Sequence, residues 1–398
     1  MNIEYRFLEP LDVLLLRGNK LFGDPGSHGE ALLPPWPSLA AGALRSRMLA
    51  DAGTDLADFA RGQIEHPELG TPQQPGPFQT TTFQIARRWA DGRVEAIYPL
   101  PADLVASKDN RKLTLSRLTP TALAPALLSS ALLPLAPVLA ESSRSKPVSG
   151  YWLTQAGWAD YLSGRMPDAA DLVPSGALWQ LDFRVGVGLD PAMRRASDGR
   201  LFSLQAVAMA KPGHAIRSAD ADHTKAALLC DYTVGFLAGV AGAEPPATGS
   251  VRLGGDGRAA AVMKVEPALP EPDYPAIVQR GRCRLVLTTP GLFADGWLPT
   301  GCTRAEDGSL RFALAGVRAR LVAAAVPRAE VISGWDLARW QPKPAGRTAP
   351  TGSVYWLDQL DTTPEALSGL VKQGLWSDPC EDVGRRAEGF NRICIAAY

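Results

Sequence analysis

Residue types that commonly do chemistry are present in this sequence, but few are spaced so that they could act together. The four histidines lie at positions 28, 66, 214 and 223, and none forms an HxxxH pair that could hold a metal ion from one helix face. No GxxxxGK[ST] loop for nucleotide phosphates occurs. His28 lies in a glycine-rich loop, where it could act as a general base on a ribose 2′-OH. The sequence therefore predicts no metal site and no cofactor, and it leaves RNA cleavage by His28 as an alternative.

The segment with the clearest binding chemistry is a glycine-rich run, residues 254–257, between Arg252 and Arg258. Its glycines are Gly254, Gly255 and Gly257. Glycine adopts positive φ and exposes backbone N–H groups, and arginine pairs with phosphate through parallel N–H donors. The run therefore predicts a cradle for a phosphate or an RNA backbone. The alternative is a β-bulge or a tight hairpin between two strands.

Arginines and aromatic residues gather in the last third of the chain. Residues 280–328 hold eight arginines against three acidic residues. Such a basic face can follow a single-stranded RNA backbone, or it can be a solvated sheet face that meets a neighbouring subunit. Four aromatic residues that could stack on bases come shortly afterwards: Trp335, Trp340, Tyr355 and Trp356. Aromatic residues are nevertheless more often buried in a core or an interface.

The composition excludes several classes of protein. The chain has 398 residues, of which 46% are hydrophobic, and its 41 basic residues balance its 41 acidic ones. This balance excludes a disordered chain and argues against a uniformly basic nucleic-acid coat, so any RNA contact must be local. The five cysteines are irregularly spaced, there is no secretory signal pattern, and prolines interrupt the most apolar segment. These features predict a cytoplasmic protein without a membrane span.

The elements that must position these residues form an α+β pattern of short strands and few helices. Apolar spacing and helix start and stop signals predict helices over residues 38–52 and 363–373. Two strands over residues 179–188 and 201–209 read as a hairpin-like pair, joined through Asp-Pro and Asp-Gly turns. Such a mixture is typical of an α+β fold.

A proline-rich linker, residues 266–277, is the strongest candidate for a domain boundary. The first domain would then be residues 1–265, and the second would be residues 278–398. Residues 90–176 fit neither half well, and their basic run predicts an insertion in the first domain in the form of a hairpin or thumb.

Several segments carry motifs that are informative together, among them VRLGGDGR at 251–258 and PTGSVYW at 350–356. The others are residues 11–23, 41–46, 184–190, 198–202, 332–337, 342–344 and 389–391. Taken in the order in which they follow along the chain, these segments resemble the third subunit of the type III-B CRISPR RAMP module, the Cmr complex. The similarity spans nearly the whole chain, although residues 90–176 carry none of the motifs.

The resemblance implies two ferredoxin-like (RRM-like) RAMP domains in tandem with an inserted hairpin or thumb region. It also implies a non-catalytic RNA-binding subunit of an antiviral ribonucleoprotein, which caps the 5′ tag of the CRISPR RNA. Its partners would be that RNA, the large polymerase-like subunit and the neighbouring backbone RAMP subunit. The alternatives are a metal-independent endoribonuclease that processes CRISPR RNA, with His28 as base, and a pure scaffold.

The residues expected to bind RNA follow from the cradle and from the resemblance. They are Arg17, Lys20, Arg45, Arg252, Gly254, Gly255, Gly257, Arg258, Trp335, Lys343, Arg347 and Asn391. Among them, Trp335 and Asn391 would read splayed bases of the tag. Thumb residues Lys108, Arg111 and Lys112 would separate the tag from the guide.

Overall fold

The structure is a computed structural model of the chain, and it describes residues 2–18, 28–109, 112–124, 131–141, 146–216 and 229–398. Two predicted site residues, Lys20 and Arg111, lie outside the described residues. Strands predominate over helices, so the chain has a mixed α/β fold. Within the described ranges, no helix combines the length and the apolar character that a membrane crossing requires.

The helices are short. The two helices predicted over residues 38–52 and 363–373 are confirmed as α1 and α5. The helices are α1 Ser38–Asp51, α2 Leu56–Ala60, α3 Gln155–Ser163, α4 Tyr274–Arg280, α5 Pro364–Gln373 and α6 Val383–Glu388. In α5, the side chain of Thr363 accepts the N–H of Ala366, and Pro364 occupies the first turn, where its missing N–H costs nothing. Gly374 follows the last helical residue at φ +76°, which is a conformation that glycine adopts readily.

The strands are numbered in chain order. They are β1 Ile3–Pro10, β2 His28–Gly29, β3 Gln79–Trp89, β4 Val94–Pro99, β5 Leu104–Asp109, β6 Lys112–Thr121, β7 Ala136–Leu139, β8 Lys146–Pro147, β9 Tyr151–Leu153, β10 Leu172–Pro174, β11 Trp179–Asp190, β12 Arg195–Met209, β13 Tyr232–Ala241, β14 Thr248–Arg252, β15 Ala259–Val265, β16 Arg282–Leu287, β17 Cys302–Arg304, β18 Leu310–Leu314, β19 Val317–Ala325, β20 Glu330–Ile332, β21 Trp335–Asp336, β22 Gln341–Pro342, β23 Gly346–Thr348, β24 Val354–Asp361 and β25 Ile393–Ala396.

Contacts divide the chain into two compact units, each assembled from three segments. Unit 1 consists of Met1–Val94, Ser175–Glu266 and Val331–Gly346. Unit 2 consists of Glu95–Pro174, Pro267–Glu330 and Arg347–Tyr398. One boundary falls inside the predicted linker 266–277. Residues 95–174 group with the C-terminal segments, whereas the sequence analysis attached residues 90–176 to the first half. The domain limits drawn from sequence stay predictions.

In unit 1, five antiparallel strands lie in the order β3–β13–β1–β15–β14. Every residue of β13 is buried, and Phe236 on this strand stacks on Phe83 with ring centres 5.2 Å apart. The predicted hairpin is confirmed as β11 and β12, which pair from Trp179 with Met209 to Asp190 with Arg195. Strand β2 joins β12 in parallel.

In unit 2, six antiparallel strands lie in the order β17–β18–β19–β24–β16–β25. Alternate residues of β16 (Cys283, Leu285 and Leu287) join the apolar core, to which α4 and α5 contribute Ile277 and Leu367. Other strands of this unit form a four-stranded sheet in the order β7–β6–β5–β8 and a run in the order β10–β9–β4.

A fully buried ion pair fixes residues 95–174 within unit 2. Nη1 of Arg284 lies 2.6 Å from Oδ2 of Asp103, and both side chains are 0% exposed. Tyr161 donates its hydroxyl to the other Asp103 oxygen at 2.8 Å, and Arg284 Nη2 donates to the carbonyls of Tyr161 and Ala397. Arg284 belongs to the arginine-rich stretch predicted to follow RNA. Its burial gives this arginine a structural role instead.

Candidate nucleic-acid interface

The glycine-rich run forms the turn between β14 and β15 in unit 1. Arg252, the last residue of β14, pairs with Ala259, the first residue of β15. The N–H of Leu253 donates to the carbonyl of Arg258 at 2.7 Å, which closes the turn. Gly254, Asp256 and Gly257 all have positive φ. The tight hairpin that the sequence offered as an alternative is therefore present, and the RNA cradle stays a prediction.

Packing requires glycine at one of the three positions without any ligand, and a backbone hydrogen bond already engages the N–H of a second. A Cβ at Gly254 would lie 2.9 Å from the carbonyl oxygen of Leu15, which is closer than a side chain allows. The N–H of Gly255 already donates to the same oxygen at 2.9 Å. At Gly257 a Cβ would meet nothing within 4 Å, so here the backbone is open to an approaching group. The part of the turn that can receive a phosphate is thus centred on Gly257.

Three of the predicted arginines lie at this turn. Arg258 Nη1 is 2.6 Å from Oδ2 of Asp12, and the Arg258 side chain is 28% exposed. Arg17 Nη2 lies 4.0 Å from Oδ1 of Asp256, within the turn itself. Arg252 is exposed. Ion pairs at such exposed positions contribute only about 0–1 kcal/mol, so a phosphate can replace either carboxylate at little cost.

The remaining predicted arginine of unit 1 has a different environment. Arg45 lies on α1 and is half-buried, with its guanidinium carbon 6.0 Å from the centre of the Phe78 ring. A cation over an aromatic face is attracted by the ring quadrupole, so this contact holds the Arg45 side chain. Its predicted role in RNA binding stays a prediction.

Trp335 and Lys343 belong to a small hairpin that is also part of unit 1. Strands β21 and β22 pair Trp335 with Pro342 and Asp336 with Gln341. The N–H of Lys343 donates to the carbonyl of Gly334 at 2.9 Å. Trp335 is 51% exposed and lies beside Trp340, whose exposed fraction is 75%. The predicted site included Trp335 but omitted Trp340.

Two other aromatic residues considered for base stacking are core residues. Tyr355 and Trp356 on β24 are 0% and 1% exposed. Burial raises the pKa of the Tyr355 hydroxyl, which donates to the carbonyl of Trp297. The core role that the sequence analysis named as the commoner one is the correct role for both.

Asn391 is correctly placed before the last strand but cannot read a base in this conformation. It is fully buried in unit 2 at φ +59°. Its Oδ1 accepts the N–H of Leu292 at 2.6 Å, and its Nδ2 donates to the carbonyls of Leu292 and Leu375. These bonds use the atoms that base recognition would need, so Asn391 is a structural residue that holds two loops together.

The other predicted residues of unit 2 lie on its strands. Arg347 is exposed on β23. Lys108 and Lys112 lie at the paired ends of β5 and β6, where Lys108 pairs with Leu113 and Asp109 pairs with Lys112. A hairpin is therefore present where the thumb was predicted, while its action on RNA stays a prediction.

Sequence reasoning missed an apolar surface on the β11–β12 hairpin. Five alternate residues of β11 share one face, and all of them are exposed: Leu181, Phe183, Val185, Val187 and Leu189. On the opposite face, the ring of Phe202 on β12 lies over Gly186, where a Cβ would come within 2.3 Å of it. The alternation itself was visible in the sequence, but it predicts a half-buried strand just as well. We call these five residues the apolar row.

Among the described residues, His28 and the cysteines are the side chains to consider for catalysis. His28 Nδ1 lies 2.8 Å from Oγ of Ser203, and both residues are held by the pairing of β2 with β12. Burial raises the pKa of the Cys283 and Cys394 thiols to about 12, so neither is a thiolate at neutral pH. Across the ranges that the structure describes, no three metal-ligating side chains come together.

Comparison with known proteins gives one clear result. The family described as CRISPR-associated protein (Cas_Cmr3) matches residues 6–396. The chain therefore belongs to the Cas_Cmr3 family of CRISPR-associated proteins. This confirms the predicted resemblance to the third subunit of the type III-B Cmr complex. No curated protein is similar enough to match.

Two solved structures are similar to the chain at low identity. One is the "Cryo-EM structure of the Type III-B Cmr-beta bound to cognate target RNA", in which a chain is 13% identical with a TM-score of 0.43. The match covers 88% of this chain and 86% of that one. The other is that assembly "bound to cognate target RNA and AMPPnP, state 1", also at 13% identity, with a TM-score of 0.40 and coverage of 92% and 88%.

Proposed function

We propose that the protein is a non-catalytic RNA-binding subunit of a cytoplasmic type III-B CRISPR effector, with two ferredoxin-like domains. In this proposal it caps the 5′ tag of the CRISPR RNA and docks the large polymerase-like subunit. The observation that carries the RNA-binding role is the β14–β15 turn, where three arginines surround an open backbone at Gly257. Family membership supports the assignment to a CRISPR system.

The turn suits phosphate because its arginine side chains are oriented by exposed ion pairs that a phosphate can displace. Arg258 and Arg17 each face one exposed aspartate, Asp12 and Asp256 respectively. A phosphodiester that displaces these carboxylates gains charge-assisted hydrogen bonds to guanidinium and releases the counterions of the RNA.

The test uses the assembled effector with the double variant Arg252→Glu, Arg258→Glu. We expect weaker binding of tagged CRISPR RNA and a smaller salt dependence, by roughly 0.7 in the log–log slope for each lost phosphate contact. The matched control is Arg61→Glu, an exposed arginine of the same unit that pairs with Asp58. Unchanged affinity and slope in the double variant, or an equal loss in the control, would remove the turn from the RNA path.

The apolar row supports the docking role. Phe183 and Val185 are 68% and 73% exposed, and the row contains no charged residue. Protein–nucleic acid interfaces are polar and positively charged, whereas a contiguous exposed apolar surface marks a protein contact. The occupant is therefore a protein and not RNA, and we assign the row to the large polymerase-like subunit in this proposal.

The docking role is tested by co-purification of the effector with the variant Phe183→Ser, Val185→Ser. We expect loss of the large subunit from the complex while the CRISPR RNA remains bound. The control is Leu56→Ser, a 60% exposed leucine outside the row. Loss of the neighbouring backbone RAMP subunit alone would reassign the surface to that partner, and an intact complex would refute docking through this row.

We propose that His28 does not act as a general base in RNA cleavage. Its Nδ1 is engaged with the Ser203 hydroxyl, so a base at this position would have to work through its other nitrogen. We expect purified protein to leave repeat RNA uncut. Cleavage that disappears in His28→Ala but persists in His66→Ala would establish the endoribonuclease in its place.

A further inference from the structure

Trp340 combines two features that seldom occur together. Its side chain is 75% exposed, and its backbone has φ +52°. A bulky residue in the left-handed region costs roughly 1–2 kcal/mol relative to its ordinary conformation. A large aromatic ring is thus held towards solvent by a strained backbone, which is a pattern that clusters at ligand sites.

The rest of the tip is built to hold this conformation. Asp336 Oδ1 accepts the N–H groups of Ala338 and Arg339 at 3.0 and 3.1 Å, which shapes the turn that leads to Trp340. Below the turn, Ser333 Oγ donates to the carbonyl of Lys343 at 2.8 Å. The ring therefore stands on a hydrogen-bonded hairpin whose geometry exists before any ligand arrives.

The two tryptophans form a corner. The centres of the Trp335 and Trp340 rings lie 6.1 Å apart, and the ring planes are inclined by 85°. In this edge-to-face arrangement each exposed ring offers a flat surface, and the two surfaces meet nearly at a right angle. A planar ligand that stacks on one indole can place its edge against the other.

The charge around the corner indicates the kind of ligand. The segment 331–346 carries two basic residues, Arg339 and Lys343, and one acidic residue, Asp336, in a chain whose formal charge is zero. The Arg339 side chain is 62% exposed and its Nε lies 3.9 Å from Oδ2 of Asp336, so Lys343 supplies the net positive charge of the segment. Flat aromatic surfaces beside a positive charge are the combination that binds unpaired bases together with their phosphates.

From this geometry we propose that Trp335 and Trp340 form a stacking corner for one unpaired RNA base, which rests on the RNA-binding function proposed above. Because the corner presents indole faces, it recognises the flat shape of a base and accepts several base identities. Trp340 was considered for stacking but was not among the predicted site residues, and in this proposal it closes the corner that Trp335 alone leaves open.

The test is a stacking measurement on the assembled effector. CRISPR RNAs carry 2-aminopurine at one tag position each, and quenching of its fluorescence reports stacking. One position should be quenched in the parent complex and released in Trp340→Ala. Loss of a stacked base is worth about 1–3 kcal/mol, so we expect RNA affinity to fall about five- to 150-fold. Trp340→Phe should retain most of the quenching.

Two controls separate stacking from other effects. Leu337→Ala removes an exposed apolar side chain of the same tip and should change neither quenching nor affinity. With an abasic site at the quenched position, Trp340→Ala should cause no additional loss. These outcomes would tie the effect to a base and not to a phosphate.

The outcomes that overturn the corner differ from those that overturn the proposed function. Unchanged quenching and affinity in Trp340→Ala, together with weakening by Arg252→Glu, Arg258→Glu, would refute the corner and leave RNA binding intact. Failure of both variants to weaken binding would refute the RNA-binding function as well. Loss of a protein subunit from the Trp340→Ala complex, with quenching retained, would make the tip a protein contact.

Discussion

Arg258 in unit 1 and Arg284 in unit 2 have similar local positions and ion-pair partners, but their exposure to solvent differs. Each lies in or next to a β-strand, and each faces one aspartate at 2.6 Å. The Arg258–Asp12 pair is partly exposed to solvent, whereas the Arg284–Asp103 pair is completely buried and accepts a further hydrogen bond from the Tyr161 hydroxyl. An exposed pair is exchangeable and can serve an anionic ligand, but a buried pair is part of the structure and cannot be removed without loss of stability.

The largest expected effect is on stability, and it comes from the aspartates of these two pairs. Asp103→Ala leaves the Arg284 guanidinium buried without its carboxylate, so we expect the free energy of unfolding of the full chain to fall by about 3–5 kcal/mol. Asp12→Ala should change it by less than about 1 kcal/mol. Urea unfolding of both variants measures the difference.

A double substitution sharpens the comparison of the two pairs. Asp103→Leu with Arg284→Met removes both buried charges, and we expect it to be less destabilising than Asp103→Ala alone. Equal losses of stability in Asp103→Ala and Asp12→Ala would contradict the contrast between the buried pair and the exposed pair.

A second contrast separates Asn391 from Trp335, since the sequence analysis predicted that both residues read splayed bases of the tag. Asn391→Ala removes three hydrogen bonds in a buried site and places alanine at positive φ, so stability should fall by about 2–3 kcal/mol. Trp335→Ala removes a half-exposed ring and should affect RNA binding instead. Thermal unfolding and RNA affinity are measured on both variants. A stable Asn391→Ala protein with altered base preference would restore the recognition role.

Local features of this protein could be predicted from sequence, whereas long-range partners could not. Helix α5 has its own start and stop signals at Thr363 and Gly374, and the glycines of residues 254–257 predict the turn that they form. Nothing local marks Arg284 as buried, because its partner Asp103 lies 181 positions away. The sequence analysis therefore counted Arg284 among the residues of a basic face.

The site shows the same limit. Arg252, Arg258 and Arg17 were selected for charge, and the structure brings them to one turn because β14 and β15 form a hairpin against residues 12–17. Asn391 was selected from a motif, but a motif does not distinguish a residue that contacts ligand from one that holds a loop. The apolar row was visible as an alternating pattern, yet only tertiary structure shows that the row faces solvent.

The buried network of unit 2 also predicts a loss of stability at alkaline pH. Burial raises the pKa of Tyr161 well above its ordinary value, with a further contribution from Asp103. In the unfolded chain Tyr161 ionises near pH 10, whereas the folded chain keeps it protonated. Stability from this group is therefore complete below about pH 10 and falls as the pH rises above that value.

The measurement is urea unfolding between pH 8 and pH 11, with Tyr161→Phe for comparison. One proton contributes about 1.4 kcal/mol per pH unit, so the substitution should flatten the alkaline slope by up to that amount. Tyr5→Phe in unit 1 is the control for a tyrosine that is only half-buried. An alkaline slope that is the same in the parent and in Tyr161→Phe would show that this network does not govern the pH dependence.

The smallest expected effect tests whether the exposed pair is exchangeable. Asp12→Ala removes the carboxylate that competes with phosphate for Arg258, so tagged CRISPR RNA should bind the assembled effector more tightly. A surface charge contributes at most about 1 kcal/mol, which corresponds to an increase in affinity of no more than about fivefold. Asp91→Ala removes an exposed aspartate from another turn of unit 1 and corrects for the general effect of net charge. If the two variants raise affinity equally, Asp12 does not compete with RNA, and the turn loses the property that distinguishes it from the buried pair.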